Sequence, residues 1–210
     1  MGRLFLASNL QNVTRMISRQ LKNEQKGKKV ICVITASEAE EGDKQWLQDD
    51  ITALQDMGMD TTEYTITGKK QSDFVKDFKD ITYVFVSGGN TFYLLEKAQE
   101  SGFINFIREY IKQGNTYFGS SAGSVIAGPD IYPVLRLDSL EKAPHLKGYK
   151  GFGFIDLVIL PHWGSDKFRN LYLNHRLEHA YNENYKLILL TDYQYLCVDS
   201  NGSYQILDVK

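Results

Sequence analysis

Several short runs of this chain are apolar at every position, and this feature restricts the fold more than any other. The runs VICVIT at 30–35, YVFV at 83–86 and LVIL at 157–160 leave no polar face that could meet water. Strands buried on both faces are typical of parallel sheets that helices cover on either side. The sequence therefore predicts an α/β fold, a three-layer sandwich with a mostly parallel sheet.

Strand and helix patterns alternate along the chain, as a parallel sheet requires. Runs rich in β-branched and aromatic residues predict strands at 4–7, 30–35, 62–67, 81–86, 116–119, 157–160, 187–191 and 195–198. Helical spacing of apolar residues predicts helices at 13–21, 44–57, 91–98, 103–112 and 168–181. The pair Asn201-Gly202 precedes a last apolar pattern at 204–207 and predicts an antiparallel hairpin at the C-terminal edge.

Composition excludes several classes of protein. Among 210 residues, 42% are hydrophobic and 24% charged, which argues against a disordered or fibrous chain, and we expect a single domain over 1–210. The net charge of −2 provides no broad positive field for nucleic acid or for an acidic membrane surface. We therefore expect a small-molecule or short-peptide partner, and a monomer or homodimer.

Cysteine usage and hydropathy predict a cytoplasmic location. Cys32 and Cys197 are the two cysteines, and both lie in apolar strand patterns where a free thiol acts as a small buried hydrophobe. The apolar segment at the N-terminus is too short for a signal peptide, and no run of about 18 apolar residues is present.

A strand-to-helix turn with the sequence GSSAG at 119–123 is the most specific catalytic pattern. It matches G-x-S-x-G, in which a serine is exposed on a turn so tight that small residues must flank it. Ser121 is therefore the predicted nucleophile, and the amide of Ala122 is predicted to donate to the oxyanion. Ser120 and Ser124 are alternative hydroxyls, and a plain turn that packs a helix closely on the sheet stays open.

A second glycine-rich loop, SGGNT at 87–91, follows the strand pattern YVFV and precedes a helical pattern. Paired glycines at a helix N-terminus expose N–H groups that can bind a polarised carbonyl oxygen. Gly88 and Gly89 are therefore predicted to complete an oxyanion hole. The alternative is a plain turn with Asn90 or Thr91 as the helix N-cap.

His162 and Asp192 each follow a strand pattern, where the loops of an α/β sheet gather their chemistry. His162 can take the serine proton as general base if it reaches Ser121. Asp192 is the predicted carboxylate that orients the imidazole, which gives the chain order Ser, His, Asp. The competing carboxylates are Asp138, Asp156 and Asp166.

A rival pattern, HRLEH at 175–179, matches the H-x-x-E-H motif of inverted zinc peptidases. Its two histidines, His175 and His179, would share one face of a helix and could bind zinc. The alternative is a solvated helix face that carries Arg176 and Glu178. Few downstream residues remain to supply a third ligand, so we predict no metal.

The segments GSSAGS, SGGNTF and ILPHW together resemble the peptidase E family of serine peptidases, which includes the aspartyl dipeptidases and the cyanophycinases. The resemblance spans most of the chain, and SGGNTFYLLE followed by GSSAGS is its most specific part. It implies a flavodoxin-like or class I glutaminase-like fold, no cofactor, and hydrolysis of short peptides, with dipeptides that begin with aspartate as candidate substrates.

The same resemblance implies roles by position. Ser121 would be the nucleophile, His162 the base, and Gly88 and Gly89 part of the oxyanion hole, while Asn90 would lie near the substrate.

The third catalytic position and the substrate-recognition residue depart from the family pattern. Asp192 in LLTDYQYLCV stands where family members more often carry a Pro-Glu-Gly-like turn. Lys167 or Arg169 would replace the basic side chain that recognises the substrate carboxylate in aspartyl dipeptidases. An esterase or amidase with another substrate, and a silent binding protein of the same fold, are the alternative functions.

Overall fold

The structure, a computed structural model, describes residues 1–135, 138–181 and 183–209, except for the side chains of His175, Arg176 and His179. Its strands are β1 (Leu4–Ala7), β2 (Lys29–Val33), β3 (Asp60–Tyr64), β4 (Tyr83–Val86), β5 (Thr116–Ser120), β6 (Val158–Leu160), β7 (Leu187–Leu189), β8 (Gln194–Val198) and β9 (Tyr204–Asp208). Its α-helices are α1 (Thr14–Gln20), α2 (Thr35–Glu38), α3 (Gln45–Asp56), α4 (Gln71–Asp77), α5 (Thr91–Ser101), α6 (Phe103–Lys112), α7 (Ala122–Val125), α8 (Asp166–Leu171) and α9 (Leu177–Ala180).

Within this described part, seven strands form the main sheet, in the order β3-β2-β4-β5-β1-β8-β9. The first five strands of that order pair in parallel, whereas β8 runs antiparallel to β1 and β9 antiparallel to β8. The predicted mostly parallel α/β sheet and the C-terminal hairpin are therefore confirmed.

Two apolar cores cover the two faces of the sheet. Side chains along β1 alternate between them: Leu4 and Leu6 belong to the core beneath α5 and α6, and Phe5 to the core beneath α1 and α3. All four residues of β1 are buried, because helices lie on both sides of this central strand. The three-layer arrangement follows from this two-sided burial.

The predicted strands at 157–160 and 187–191 are present but form a separate small sheet, in which β6 and β7 pair in parallel. The central strand β1 already pairs with β5 on one side and with β8 on the other. No edge of β1 is therefore open to β6, and the small sheet packs on the core beside α7 instead.

Some predicted boundaries were wrong. The strand predicted at 30–35 ends at Val33, because Thr35 begins α2 and its hydroxyl accepts a hydrogen bond from the Ile66 N–H (3.0 Å). The helix predicted at 168–181 is α8, a π-helical turn at Tyr172–Arg176 and then α9. The pattern analysis missed α4 altogether.

The strand register brings several loops to one rim of the main sheet. Ala7 at the end of β1 lies beside Ser120 at the end of β5, and Val86 at the end of β4 lies beside Gly119. The loops that follow these three strands therefore start side by side.

Among the described residues, no helix has both the length and the apolar character needed to cross a membrane.

Candidate active site

Ser121 occupies a sharp turn between β5 and α7. Its backbone has φ +48° and ψ −108°, a conformation that few residues other than glycine adopt. Its N–H donates to the Ala7 carbonyl oxygen (3.0 Å), which ties the turn to the neighbouring strand. Strained backbone of this kind persists only where the surrounding structure holds it in place, and it clusters at functional sites.

The two glycines of the GSSAG segment leave room for this turn. A β-carbon on Gly123 would lie 2.0 Å from the carbonyl oxygen of Val86, and one on Gly119 would lie 2.7 Å from the carbonyl oxygen of Gly123. Both gaps are far below van der Waals contact, so any side chain would force α7 away from the sheet. The predicted need for small residues in this turn therefore has a steric cause.

Of the three hydroxyls in this segment, those of Ser120 and Ser124 form hydrogen bonds with the backbone. Ser120 Oγ accepts a hydrogen bond from the Leu10 N–H (3.2 Å), and Ser124 Oγ donates to the Ala7 carbonyl oxygen (2.7 Å). Both side chains are buried. Ser121 is the half-buried one of the three, and its hydroxyl meets a histidine.

The structure brings Ser121, His162 and Asp192 into one chain of hydrogen bonds. His162 Nε2 lies 2.9 Å from Ser121 Oγ, and His162 Nδ1 lies 2.6 Å from Asp192 Oδ1. An ionised carboxylate can only accept a hydrogen bond, so Nδ1 is the nitrogen that donates to Asp192 when the imidazole is neutral. Nε2 then has a free lone pair that faces the serine hydroxyl.

Separate contacts hold the backbone and the ring of His162. The His162 backbone has φ +62°, and the His162 N–H donates to Ser8 Oγ (3.2 Å). The ring stacks on Phe168 with a centroid distance of 4.6 Å and an interplanar angle of 11°. Phe168 therefore restricts the rotation of the imidazole about its side-chain bonds.

The competing carboxylates lie elsewhere. Asp138 accepts a hydrogen bond from the Thr91 N–H (2.9 Å), and Asp156 pairs with Lys186. Asp166 begins α8 and is exposed. Asp192 is thus the carboxylate that contacts the imidazole in the described part of the chain.

The loop at 87–91 lies against the serine turn. A β-carbon on Gly88 would lie 3.3 Å from Cβ of Ser121 and 3.4 Å from the Trp46 ring. Gly89 has φ +124°, and a β-carbon there would overlap the Ala36 carbonyl group. Within the described residues, the N–H groups of Gly88, Gly89 and Ala122 donate to no protein acceptor.

Asn90 is buried and caps α5. Its Oδ1 accepts from the Tyr93 N–H (2.9 Å), and its Nδ2 donates to the Ser139 carbonyl oxygen (3.0 Å). This is the N-cap role that the sequence left open. Direct contact between Asn90 and a substrate stays a prediction, since these bonds already occupy both ends of its amide.

Lys167 and Arg169 lie on α8, on the His162 side of the site. The ammonium group of Lys167 sits 5.3 Å from the centre of the Phe168 ring. Arg169 lines a cavity of about 280 Å³ together with Trp163, Gly164, Asp166, Tyr172 and Leu173. Arg169 therefore places positive charge in a cavity that Trp163, the residue after His162, also lines.

Most side chains of the HRLEH motif at 175–179 are not described by the structure. The side chains of His175, Arg176 and His179 are not among those that the structure describes, and Glu178 is exposed. Elsewhere among the described residues, no group of three or more potential ligands is placed to hold a metal ion. The metal prediction therefore rests on the sequence argument.

The profile of Peptidase family S51 matches residues 2–206. The chain belongs to this family. It is accordingly a peptidase, and thus a hydrolase, as the sequence resemblance implied.

Relatives of this peptidase carry matching names. Uncharacterized peptidase Lmo0363 of Listeria monocytogenes is 32% identical over 171 residues, which cover 81% of this chain and 82% of the relative. Peptidase E of Haemophilus influenzae is 39% identical over 79 residues, 38% of this chain and 34% of the relative. A crystal structure of a candidate peptidase E protein from Listeria monocytogenes EGD-e is 25% identical, with a TM-score of 0.90 and full coverage of both chains.

Sequence reasoning missed Asp50, a buried acid behind the serine turn of this peptidase. Asp50 Oδ1 accepts from the Gln11 N–H (2.9 Å), and its carboxylate lies near the hydroxyl of Ser120. Burial raises the pKa of Asp50 to about 6, an effect that the Ser120 hydroxyl and the Gln11 N–H partly offset. The signal was present in the sequence, because Asp50 falls in the apolar stripe of α3 between Leu47 and Leu54.

Replacement of Gly123 by alanine tests the steric origin of the serine turn. Gly123→Ala should lower the free energy of unfolding by roughly 3 kcal/mol or more, because the new methyl group meets the Val86 carbonyl. Gly68→Ala is the control: Gly68 has φ +72° but open space around its α-carbon, so backbone strain alone should cost about 1 kcal/mol. Equal losses in urea unfolding would contradict the steric argument.

Asp50 should make stability depend on pH. Its pKa is higher in the folded protein than in the unfolded chain, so its contribution is complete below about pH 4 and lost as pH rises through 6. In Asp50→Asn this component disappears. The unfolding free energy of the variant, relative to wild type, should rise by on the order of 3 kcal/mol from about pH 4 to about pH 8.

The measurement is urea unfolding of both proteins at a series of pH values. Asp49→Asn, a half-buried neighbour on α3, controls for the loss of one negative charge. Parallel pH curves for wild type and Asp50→Asn would contradict the prediction.

Proposed function

We propose that this member of the S51 family is a serine-type peptidase that hydrolyses short peptides through Ser121, His162 and Asp192. The observation that carries the proposal is the pair of hydrogen bonds from Ser121 Oγ to His162 Nε2 and from His162 Nδ1 to Asp192 Oδ1. A hydroxyl is a weak nucleophile unless an adjacent base accepts its proton. These contacts support such activation.

The proposed reaction proceeds in two halves. Ser121 Oγ forms a bond to the peptide carbonyl carbon while its proton passes to His162 Nε2, and the imidazolium then protonates the leaving amine as the C–N bond breaks. A water molecule attacks the resulting ester, gives one proton to His162, and releases the acid as that proton returns to Ser121 Oγ. Asp192 holds the imidazole in the required tautomer and stabilises its cation.

Stabilisation of the oxyanion falls to backbone N–H groups. Gly88 and Gly89 offer N–H groups from the loop that touches the serine turn, and Ala122 offers one from the start of α7. In the described structure these groups have no protein acceptor, so they can donate to the negative oxygen of the tetrahedral intermediate without breaking another bond.

The proposed substrates are short peptides, including dipeptides that begin with aspartate. Arg169 lines a cavity of about 280 Å³ together with Asp166 and with Trp163, the residue after His162, and its guanidinium can bind a carboxylate in bidentate fashion. Lys167 adds a second positive charge over the Phe168 ring, which itself stacks on His162. The Trp46 ring lies near Gly88, 3.4 Å from where a β-carbon on that residue would stand, and would form an apolar wall beside the oxyanion loop.

Removal of the serine hydroxyl tests the proposed chemistry. Ser121→Ala should reduce turnover of short peptides at least about a thousandfold, because the attacking atom is lost, while the melting temperature stays close to that of wild type. Ser203→Ala, in the exposed C-terminal hairpin, is the control and should keep full activity. Undiminished turnover by Ser121→Ala would exclude Ser121 as the nucleophile.

Further measurements separate the alternative functions. Wild-type protein that hydrolyses p-nitrophenyl esters but leaves all peptides intact would be an esterase. Folded protein that does not react at Ser121 with a fluorophosphonate probe would be a binding protein of the same fold. Stoichiometric zinc in the purified protein, together with inactivation by a chelator, would support the zinc motif.

Replacement of the basic side chains tests the substrate preference. Arg169→Ala should lower kcat/KM for a dipeptide that begins with aspartate roughly 10- to 100-fold, because the charge-assisted contact with the substrate carboxylate is lost. A dipeptide with alanine in place of that aspartate should be affected less than about threefold, because it has no side-chain carboxylate to bind. Lys167→Ala, measured in parallel, shows which of the two cations carries the preference. Equal losses for both dipeptides would contradict a role of Arg169 in substrate selection.

A further inference from the structure

The candidate catalytic residues are divided between two sheets. Ser121 follows β5 of the main sheet, whereas His162 follows β6 and Asp192 follows β7 of the small sheet. In the described part of the chain, no strand of one sheet pairs with a strand of the other. The distance between Ser121 Oγ and His162 Nε2 is therefore set by contacts other than strand pairing.

Ser8 supplies the first of these contacts. It comes directly after β1, at the rim of the main sheet, and its side chain is only 1% exposed. Its hydroxyl donates to the carbonyl oxygen of Leu190 (2.8 Å) and accepts from the N–H of His162 (3.2 Å). One buried hydroxyl thus joins the end of β1 to the residues that follow both strands of the small sheet.

Asn12 supplies a second contact, four residues further along the same loop. Its Nδ2 donates to the backbone carbonyl oxygen of Asp192 (3.0 Å). The side chain of Asp192 is the one that bonds His162 Nδ1. Asn12 therefore fixes the backbone from which the carboxylate reaches the imidazole, while contacting neither the imidazole nor the serine in any described hydrogen bond.

The same loop also holds the serine turn. The Ala7 carbonyl oxygen accepts from the Ser121 N–H (3.0 Å), and Ser120 Oγ accepts from the Leu10 N–H (3.2 Å). Asp50 fixes the loop from behind, through the Gln11 N–H. The segment 7–12 is accordingly bonded to all three stretches of chain that carry the candidate catalytic side chains.

We infer that Ser8 and Asn12 are positioning residues, which keep His162 and Asp192 of the small sheet in register with Ser121 of the main sheet. The inference rests on the proposed function. A displacement of about 1 Å in a catalytic group can cost a hundredfold in rate, so two hydrogen bonds across the junction are enough to matter. Neither residue takes part in proton transfer, and substrate binding should not depend on them.

Asn115 offers a matched control. Like Asn12 it is half-buried and donates from Nδ2 to a backbone carbonyl oxygen, that of Tyr110 (2.9 Å). It lies directly before β5, at the end of the strand opposite Ser121. Loss of its hydrogen bond should affect the fold about as much as loss of the Asn12 bond, without moving the candidate site.

The experiment compares Asn12→Ala, Ser8→Ala and Asn115→Ala with wild type. For Asn12→Ala and Ser8→Ala, kcat on a short peptide should fall roughly 10- to 100-fold while KM changes less than about twofold. Their rates of Ser121 labelling by a fluorophosphonate should fall in parallel. Asn115→Ala should keep wild-type kcat and labelling rate, with a decrease in melting temperature similar to that of Asn12→Ala.

A proton NMR spectrum of the free protein gives a readout that does not require catalysis. The Nδ1 proton between His162 and Asp192 should give a far-downfield resonance, which should shift or broaden in Asn12→Ala and stay unchanged in Asn115→Ala. Asn12→Asp, which keeps the size of the side chain but cannot donate from that position at neutral pH, should behave as Asn12→Ala does. Ser8→Cys, which keeps nearly the size of the side chain but has a much weaker donor and acceptor, replaces Ser8→Ala if the latter does not fold.

The outcomes separate this inference from the proposed function. Wild-type kcat, labelling rate and resonance in Asn12→Ala and Asn12→Asp would overturn the positioning role of Asn12, and wild-type kcat and labelling rate in the Ser8 variant would overturn that of Ser8. An equal loss of kcat in Asn115→Ala and Asn12→Ala would do so as well, because the effect would then follow stability. A wild-type protein without peptide turnover or labelling would instead refute the proposed function, and the resonance would still test the contact.

Discussion

The close approach of α7 to the main sheet is the constraint on which the rest of the site depends. Gly119 and Gly123 let the backbone of the turn come within a distance that no β-carbon would tolerate, against each other and against Val86. That approach forces Ser121 into a positive φ and turns its hydroxyl toward the rim of the sheet. The turn also lies against the loop at 87–91, where a β-carbon on Gly88 would be 3.3 Å from Cβ of Ser121.

A second constraint is the division of the site between two sheets. The main sheet provides a rigid support for Ser121, because its central strands are buried on both faces. The small sheet carries His162 and Asp192, and it docks on the main sheet through packing and through the polar loop after β1. Since hydrogen bonds need close geometry, we expect the polar loop to set the alignment of the three side chains.

Much of the fold and the candidate catalytic side chains could be predicted from local pattern. The residues that hydrogen-bond to the loops carrying those side chains could not. The strand at 4–7 and the helix at 103–112 appear with the predicted bounds, because their apolar periodicity is decided locally. The independence of β6 and β7 escaped prediction, since pairing partners depend on which edges of β1 are already taken. Asp50, Ser8 and Asn12 also escaped it, since their hydrogen bonds join residues that are 39 to 182 positions apart.

The sequence by itself determined the order of most strands and helices, the G-x-S-x-G turn, and the residue types available for chemistry at the strand ends. These depend on periodicity, on side-chain volume and on chemical identity, all of which are local properties. The tertiary structure decided which carboxylate meets His162 and which hydroxyl faces the imidazole. It decided as well that Asn90 caps a helix. Each of these is a distance between segments far apart in the chain, and such distances exist only once both apolar cores have closed around the sheet.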